Sequence, residues 1–263
     1  MNSDFCKIMS RTATYFISDL HLGAAYLENP LDYERRVVRW LHSVKDTACE
    51  IYLLGDVLDY WYEYRNVVPR GFTRFLGTLA LLADSGVKIT WLIGNHDIWI
   101  FDYLPAEIGC EVIDGSCVRE ISGKRFYMEH GDAVGKLKPM FKMMRSAFRN
   151  RVCQKLFAAI HPRWTVPFAN NWSSHSRKAG GYQPRFDGED KEPFIEFARS
   201  YNQAAEDKVD FFIFGHRHIM LDYKMENDAR VIVLGDWVNH FSYAVFDEGK
   251  LSLKQFEEAI KIN

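Results

Sequence analysis

The sequence has few cysteines and none of the spacings that cysteine-based sites require. Its five cysteines are odd in number and form no Cys-x-x-Cys pair, which argues against a zinc knuckle and against a disulfide framework. Reduced thiols in a cytosolic protein are the better interpretation. No apolar run approaches the roughly 18 residues of a membrane-spanning helix. Residues 1–14 also lack the apolar stretch of a secretory signal, so we expect a soluble or peripheral protein.

Acidic residues are missing from one long internal segment. Residues 133–186 contain no Asp or Glu but eleven Lys and Arg, although the whole chain has a formal net charge of only −2. Such an imbalance is typical of a surface that meets an anionic partner. Since the segment matches no nucleic-acid-binding fold, we expect no nucleic acid as partner.

The same segment carries an apolar stripe at helical spacing, formed by Phe141, Met144, Phe148, Val152, Leu156 and Ile160. A basic amphipathic helix of this kind can lie on an anionic membrane surface. It can also line a pocket for acyl chains, or simply pack on the core with its charges solvated.

The rest of the chain predicts one α/β domain over residues 1–263. Strand and helix patterns alternate up to residue 93, which favours parallel strand pairing. After Pro105 the pattern changes to short strands that look antiparallel. We expect two sheets packed face to face with helices outside, and a basic helical insertion at 133–186 that overhangs the site. The predicted strands are 14–18, 51–54, 87–93, 111–113, 117–121, 125–128, 210–214, 230–234, 243–246 and 250–253, and the predicted helices outside the insertion are 32–46, 70–85 and 189–207.

Five polar motifs each follow a strand-like run, where open α/β sheets collect their ligands. Their mixture of carboxylate, imidazole and amide oxygen suits Mn²⁺, Fe²⁺ or Zn²⁺. Two such ions roughly 3.5–4 Å apart can hold phosphate oxygens and lower the pKa of a water molecule. Any one motif could be a surface turn or a helix cap, but their joint occurrence predicts a two-metal site with Asp56 as the bridge. The motifs are Asp19-x-His21, Gly55-Asp56-x-x-Asp59, Gly94-Asn95-His96-Asp97, His130-Gly131-Asp132 and Gly215-His216-x-His218.

In this order the motifs resemble the calcineurin-like metallophosphoesterase superfamily, whose pattern is D-x-H, G-D-x-x-D, G-N-H-D, G-H and G-H-x-H. The resemblance implies a four-layer αββα sandwich of two mixed sheets. It also implies that His96 stabilises the transition state or protonates the leaving oxygen, that Asp59 orients His96, and that Asn95 helps to steady the developing charge. One ion would be bound by Asp19, His21, Asp56 and His218, and the other by Asp56, Asn95, His130 and His216.

Within that superfamily the chain resembles the UDP-2,3-diacylglucosamine diphosphatases of lipid A synthesis, through residues 18–22, the aromatic-flanked Asp56 motif, the His130 motif and the helical insertion. This implies hydrolysis to UMP and a diacylglucosamine phosphate, with Mn²⁺ as the typical ion, at the inner face of the inner membrane. Charge alone suggests Arg149, Arg177 and Lys178 as ligands of the substrate phosphates.

Two alternatives remain open at this point. Many of those diphosphatases carry Arg where this chain has His96, and an intact histidine favours a soluble phosphomonoesterase or nucleotide phosphodiesterase of the same superfamily. A phosphoesterase-like scaffold that only binds a partner is the second alternative. The complete set of ligands argues against that scaffold.

Overall fold

The first sheet is mixed, with four parallel strands and an antiparallel pair at one end. The computed structural model describes residues 11–135, 139–165 and 185–256. Among these, the first sheet has the spatial order β11 (Lys250–Gln255), β10 (Ser242–Asp247), β1 (Ala13–Ile17), β2 (Ala48–Leu54), β3 (Lys88–Leu92) and β4 (Glu111–Ile113). β1 to β4 are parallel, whereas β10 pairs antiparallel with both β1 and β11.

The second sheet is also mixed, with three parallel strands between antiparallel edges. Its described order is β5 (Cys117–Ile121), β6 (Lys124–Glu129), β7 (Phe211–Phe214), β9 (Arg230–Leu234) and β8 (Met220–Lys224). β6, β7 and β9 are parallel, so their carboxyl ends share one edge of the sheet. β5 and β8 run antiparallel to their neighbours.

Helices cover the outer face of each sheet. α1 (Pro30–Val44), α2 (Thr73–Asp84) and the short α3 (Tyr103–Ile108) connect the parallel strands of the first sheet, and α6 (Pro193–Ala204) precedes β7. Asn29 caps α1 and Pro30 begins it, as both residue types favour. The insertion contributes α4 (Pro139–Arg149) and α5 (Arg151–Ala158).

The alternation of side chains along each strand builds three apolar layers. On β1, Phe16 faces the second sheet and stacks on Phe126 of β6, whereas Ile17 faces the cluster that includes Trp40 of α1. On the far side, Phe194 of α6 packs with the outer face of the second sheet. The predicted four-layer αββα sandwich of two mixed sheets is therefore confirmed.

Three details differ from the sequence prediction. The antiparallel pairing expected after Pro105 holds for β5 with β6, but it is wrong for β4, which is parallel to β3. α3 and β8 were not predicted. β8 has only partly buried or exposed residues because it is an edge strand, so its sequence lacks a strong apolar signal.

The single apolar stripe predicted for the insertion is wrong, because the helix breaks at Asn150. The Asn150 side chain accepts hydrogen bonds from the backbone of Val152 and Cys153 and so caps α5. Phe148 packs against the core cluster of the first sheet, but Val152 and Leu156 are 64% and 66% exposed. No helix within the described ranges combines the length and apolarity needed to cross a bilayer.

Candidate metal centre

All five polar motifs lie at the carboxyl ends of parallel strands, where the two sheets meet. Asp19 and His21 follow β1, Asp56 follows β2, and Asn95 follows β3. From the second sheet, His130 follows β6, and His216 and His218 follow β7. The sandwich therefore brings together residues that are up to about two hundred positions apart in the sequence, and the seven predicted metal ligands share one buried region.

Backbone geometry aims these ligands into the centre. Five of them have φ angles in the left-handed region that non-glycine residues rarely adopt: Asp19 (54°), His21 (45°), Asp56 (52°), His216 (63°) and His218 (52°). Such conformations cost of order 1–3 kcal/mol each and gather at functional sites. Hydrogen bonds between loops hold them, for example from the His21 amide to the Asp56 carbonyl at 2.9 Å.

The first group of possible ligands is formed by Asp19, His21 and His218. The Nε2 atom of His218 lies 3.3 Å from Asp19 Oδ1 and 3.4 Å from Nε2 of His21. His21 Nε2 is also 3.9 Å from Oδ2 of Asp56. Two imidazole nitrogens and two carboxylates thus face the same small space.

The second group is formed by Asp56, His130 and His216. His130 Nε2 lies 3.3 Å from Asp56 Oδ2 and 3.3 Å from Oδ1 of Asn95. Asp56 also forms a third group of possible ligands with His21 and His96, so its carboxylate lies between the first group and the second, as a bridging carboxylate would.

The donor set fits a pair of divalent cations. Oδ1 of Asp19 is buried and has no hydrogen-bond partner within the described part of the chain, although His218 Nε2 is only 3.3 Å away. A buried carboxylate oxygen left in this state costs free energy unless a cation satisfies it. Carboxylate, imidazole and amide oxygen ligands without any thiolate match a catalytic site rather than a structural zinc site.

Charge pairing shifts the pKa values of these groups in opposite directions. Burial opposes ionisation of Asp56, but His130 and His96 outweigh it and hold the pKa of this carboxyl well below its usual range. Burial also lowers the pKa of His218, yet Asp19 raises it to about 10. Burial and the neighbouring His130 together lower the pKa of His216 to about 4. Without cations, protons on some histidines neutralise the carboxylates, and metal ions must displace those protons.

His96 stands beside the two groups. Its Nδ1 atom donates to the backbone carbonyl of Asp59 at 3.0 Å, because a carbonyl oxygen can only accept, and Nε2 lies 3.9 Å from Asp56 Oδ2. The Asp59 carboxylate is 3.6 Å from His96 Nδ1 but 3.2 Å from His21 Nδ1. Asp59 therefore contacts both histidines, and its main chain provides the hydrogen bond to His96.

The insertion is fastened to the loops that carry the ligands. Trp99, three residues after His96, donates to the Phe148 carbonyl at 2.9 Å, and Tyr62 donates to the Gln154 carbonyl at 2.7 Å. Arg145 of α4 donates to the buried carboxylate of Asp132 at 2.8 Å.

The three residues predicted to bind substrate phosphates are only partly described. Arg149 donates through Nε to Asp114 at 3.1 Å, and its Nη2 atom is buried without a hydrogen-bond partner among the described residues. Arg177 and Lys178 lie outside the described residues.

Sequence reasoning assigned no role to Asp97, although it lies in the third motif, and missed Asp236; both are buried carboxylates that hold the site. Asp97 accepts hydrogen bonds from the backbone of Asp56, Val57 and Gly94, and so fastens the second motif to the third. Asp236 follows β9 and lies 3.1 Å from Nδ1 of His218. The sequence did contain a signal for Asp236, because Gly235-Asp236 follows a strand and so repeats the pattern of Gly55-Asp56.

The chain matches a known protein family and several named relatives. A profile of the calcineurin-like phosphoesterase family matches residues 13–220. The chain is 42% identical over 260 residues to the UDP-2,3-diacylglucosamine hydrolase of Porphyromonas gingivalis, covering 94% of this chain and 99% of that protein. It is 26% identical over 228 residues to the enzyme of the same name from Nitrosococcus oceani, covering 86% and 87% of the two chains.

Among solved structures, a dimetal phosphatase from Danio rerio aligns with a TM-score of 0.47 and 13% identity, over 93% of this chain and 95% of that one. The phosphoesterase Yfce from E. coli aligns with a TM-score of 0.45 and 16% identity, over 92% of each chain.

Proposed function

This chain belongs to the calcineurin-like phosphoesterase family, and on that premise we propose that it hydrolyses the diphosphate bond of UDP-2,3-diacylglucosamine to UMP and 2,3-diacylglucosamine 1-phosphate. The observation that carries the proposal is the similarity to the P. gingivalis hydrolase across almost the full length of both chains. The intact ligand set supports a catalytic role and argues against a scaffold that only binds. We also propose that the protein is one domain over residues 1–263, with residues 133–186 as an insertion.

We propose that two Mn²⁺ ions are the cofactors, which would neutralise phosphate charge and supply a water of lowered pKa. Asp19, His21, Asp56 and His218 would hold one ion, and Asp56, Asn95, His130 and His216 the other. His96 presents Nε2 beside Asp56, where it would steady the charge on the leaving group. That group is a phosphate monoester with a second pKa of about 6, so it needs little protonation.

An apolar cavity next to the centre supports a site for the acyl chains. A cavity of about 350 Å³ is lined mainly by apolar side chains, within the size range of ligand pockets. Leu22 and Tyr60 line this cavity, and each is adjacent in sequence to a residue of the centre. Pro162 of the insertion also lines it. We propose that one acyl chain of the substrate occupies this cavity.

Exposed apolar side chains of the insertion support contact with a membrane. Among the described residues they include Met140, Met143, Val152, Leu156, Ile160, Trp164 and Phe186. Exposed basic residues, among them Lys142, Arg151, Lys155 and Arg163, lie in the same segment. Apolar and basic groups together are typical of segments that bind anionic bilayers, where each basic residue adds about 1 kcal/mol. We propose a peripheral location on the cytoplasmic face of the inner membrane.

The test of the substrate is Mn²⁺-dependent turnover of UDP-2,3-diacylglucosamine beside UDP-N-acetylglucosamine, which shares the nucleotide and sugar but lacks the acyl chains. We expect UMP from the lipid-bearing compound and at least a hundredfold lower rate with the control. Equal rates would contradict the proposed substrate.

In the same preparation, replacing both Leu156 and Trp164 with Glu should weaken co-sedimentation with anionic vesicles, and unchanged sedimentation would contradict the membrane surface.

A soluble phosphomonoesterase or nucleotide phosphodiesterase is the second candidate, favoured by the histidine at position 96 and its hydrogen bond to the Asp59 main chain. Fast turnover of a water-soluble aryl phosphate by the Mn²⁺-loaded protein, without binding to vesicles, would support this candidate. His96→Arg should then abolish that turnover.

A further inference from the structure

We propose that Asp236 is a positioning residue of the metal centre, which fixes His218 as a ligand by accepting the Nδ1 hydrogen of its ring. Asp236 is fully buried in the loop after β9, and its Oδ2 atom lies 3.1 Å from Nδ1 of His218. The inference concerns the proposed metal centre and does not depend on which phosphate compound is cleaved.

The contact decides which ring nitrogen of His218 is available. A carboxylate can only accept, so the Nδ1 atom must carry hydrogen and Nε2 is left to bind a cation. Nε2 points to the right place, 3.3 Å from Asp19 Oδ1 and 3.4 Å from Nε2 of His21. Carboxylates behind metal-binding imidazoles raise their basicity and fix the orientation of their rings.

Two other histidines of the centre show the same arrangement. His21 Nδ1 lies 3.2 Å from the Asp59 carboxylate, and His130 Nδ1 donates to the Leu54 carbonyl at 2.8 Å. In each case the partner faces Nδ1 and leaves Nε2 toward the carboxylates. His218 thus follows a rule of this site, with Asp236 as its partner.

The two carboxylate oxygens of Asp236 have different hydrogen-bond partners. Oδ1 accepts the backbone amides of Asn239 at 2.6 Å and His240 at 3.2 Å, which shapes the turn after β9. Oδ2 faces His218 and also accepts from the Asn239 side chain at 3.1 Å. An aspartate satisfies both sets of donors, and an asparagine of the same shape cannot.

The variant Asp236→Asn separates the effect on the turn after β9 from the effect on His218. Two backbone amides need an acceptor, so the amide oxygen should occupy the Oδ1 position and the NH₂ group should face His218. His218 Nδ1 must then accept, which moves the ring hydrogen to Nε2, where it blocks a cation. The turn would be kept while the ligand is lost.

The experiment measures Mn²⁺ binding directly, by electron paramagnetic resonance titration of metal-free protein and by metal content after gel filtration. For Asp236→Asn we expect weaker binding of one of the two ions, with a dissociation constant 10- to 100-fold higher than in the wild type. The metal-free melting temperature should stay near that of the wild type, whereas the rise that Mn²⁺ causes should shrink. A purely structural residue would instead lower the metal-free melting temperature.

Asp222→Asn is the matched control. Asp222 lies on β8 next to β9 and pairs with Arg230 at the surface, so this change removes a carboxylate without touching the centre. It should bind Mn²⁺ as the wild type does. Binding within threefold of wild type by Asp236→Asn would overturn the proposal.

A second measurement needs no variant, in case Asp236→Asn fails to fold. In wild-type protein loaded with Zn²⁺, imidazole ¹⁵N spectra should show hydrogen on Nδ1 of His218 and the metal on Nε2. The reverse assignment would overturn the proposal. Because neither measurement uses a substrate, both remain decisive even if the proposed substrate is wrong.

Discussion

Glu63 provides the strongest test of how the loops around the centre are held, through the variant Glu63→Gln. The buried carboxylate of Glu63 accepts five hydrogen bonds from uncharged donors. Oε2 accepts the backbone amides of Phe101, Asp102 and Tyr103, and Oε1 accepts the Leu104 amide and the indole of Trp61. Glu63 therefore caps α3 and ties the loop after β2 to the loop after β3.

The cost of Glu63→Gln follows from counting donors. The amide has one oxygen, so either two buried donors, Trp61 and Leu104, or the three partly buried amides lose their acceptor, whichever way the group is turned. Each buried donor without a partner costs about 1–3 kcal/mol, so the smaller number already predicts a loss of about 2–6 kcal/mol. The lost charge at the N-terminus of α3 adds about 0.3–1 kcal/mol.

Urea unfolding of metal-free protein at pH 7, followed by tryptophan fluorescence and circular dichroism, measures the loss. Glu107→Gln is the matched control because Glu107 is an exposed residue of the same helix, where a change should stay within about 0.5 kcal/mol. A free energy of unfolding lowered by less than 1 kcal/mol in Glu63→Gln would refute the reasoning.

Two further predictions concern the metal ligands. Asp56→Ala should fold but retain less than a tenth of wild-type turnover, because the carboxylate that lies between the two ligand groups is lost; a higher rate in the Mn²⁺ assay would contradict the bridging role. Burial lowers the pKa of His218, but Asp19 raises it to about 10, above the ordinary value of 6.5. His218 of the metal-free protein therefore carries a proton at pH 8, and Mn²⁺ must displace that proton. Mn²⁺ affinity should therefore rise with pH, and the stability that protonated His218 gives the metal-free fold should be complete below pH 6.5 and lost toward pH 10. Calorimetry in two buffers of different ionisation enthalpy measures the released protons, and no release at pH 8 would count against this assignment.

The convergence of the five motifs could be predicted from sequence because a general rule places them at one edge. Strand-like runs end just before each motif, and carboxyl ends of parallel strands share an edge. Asp19 and His216 needed no knowledge of packing, since a strong apolar strand precedes each one. The layer order followed from the same strands and from the helices between them.

Other features depended on contacts that no local pattern encodes. Asp236 follows a strand and a glycine, as Asp56 does, but only its contact with His218 shows which residue it serves. The apolar periodicity of the insertion continues across Asn150 and predicts one unbroken helix. The helix breaks there because the Asn150 side chain caps α5. β8 has little apolar character because only one of its edges is paired.

The left-handed backbone at Asp19, His21, Asp56, His216 and His218 has a consequence for protein engineering. Transplanting this centre into another scaffold would require copying five unusual main-chain conformations as well as seven side chains. Grafting the same residues onto ideal strands would point them elsewhere. The recipient would also have to absorb several kcal/mol of unfavourable local conformation, which here is offset by a tightly packed sandwich.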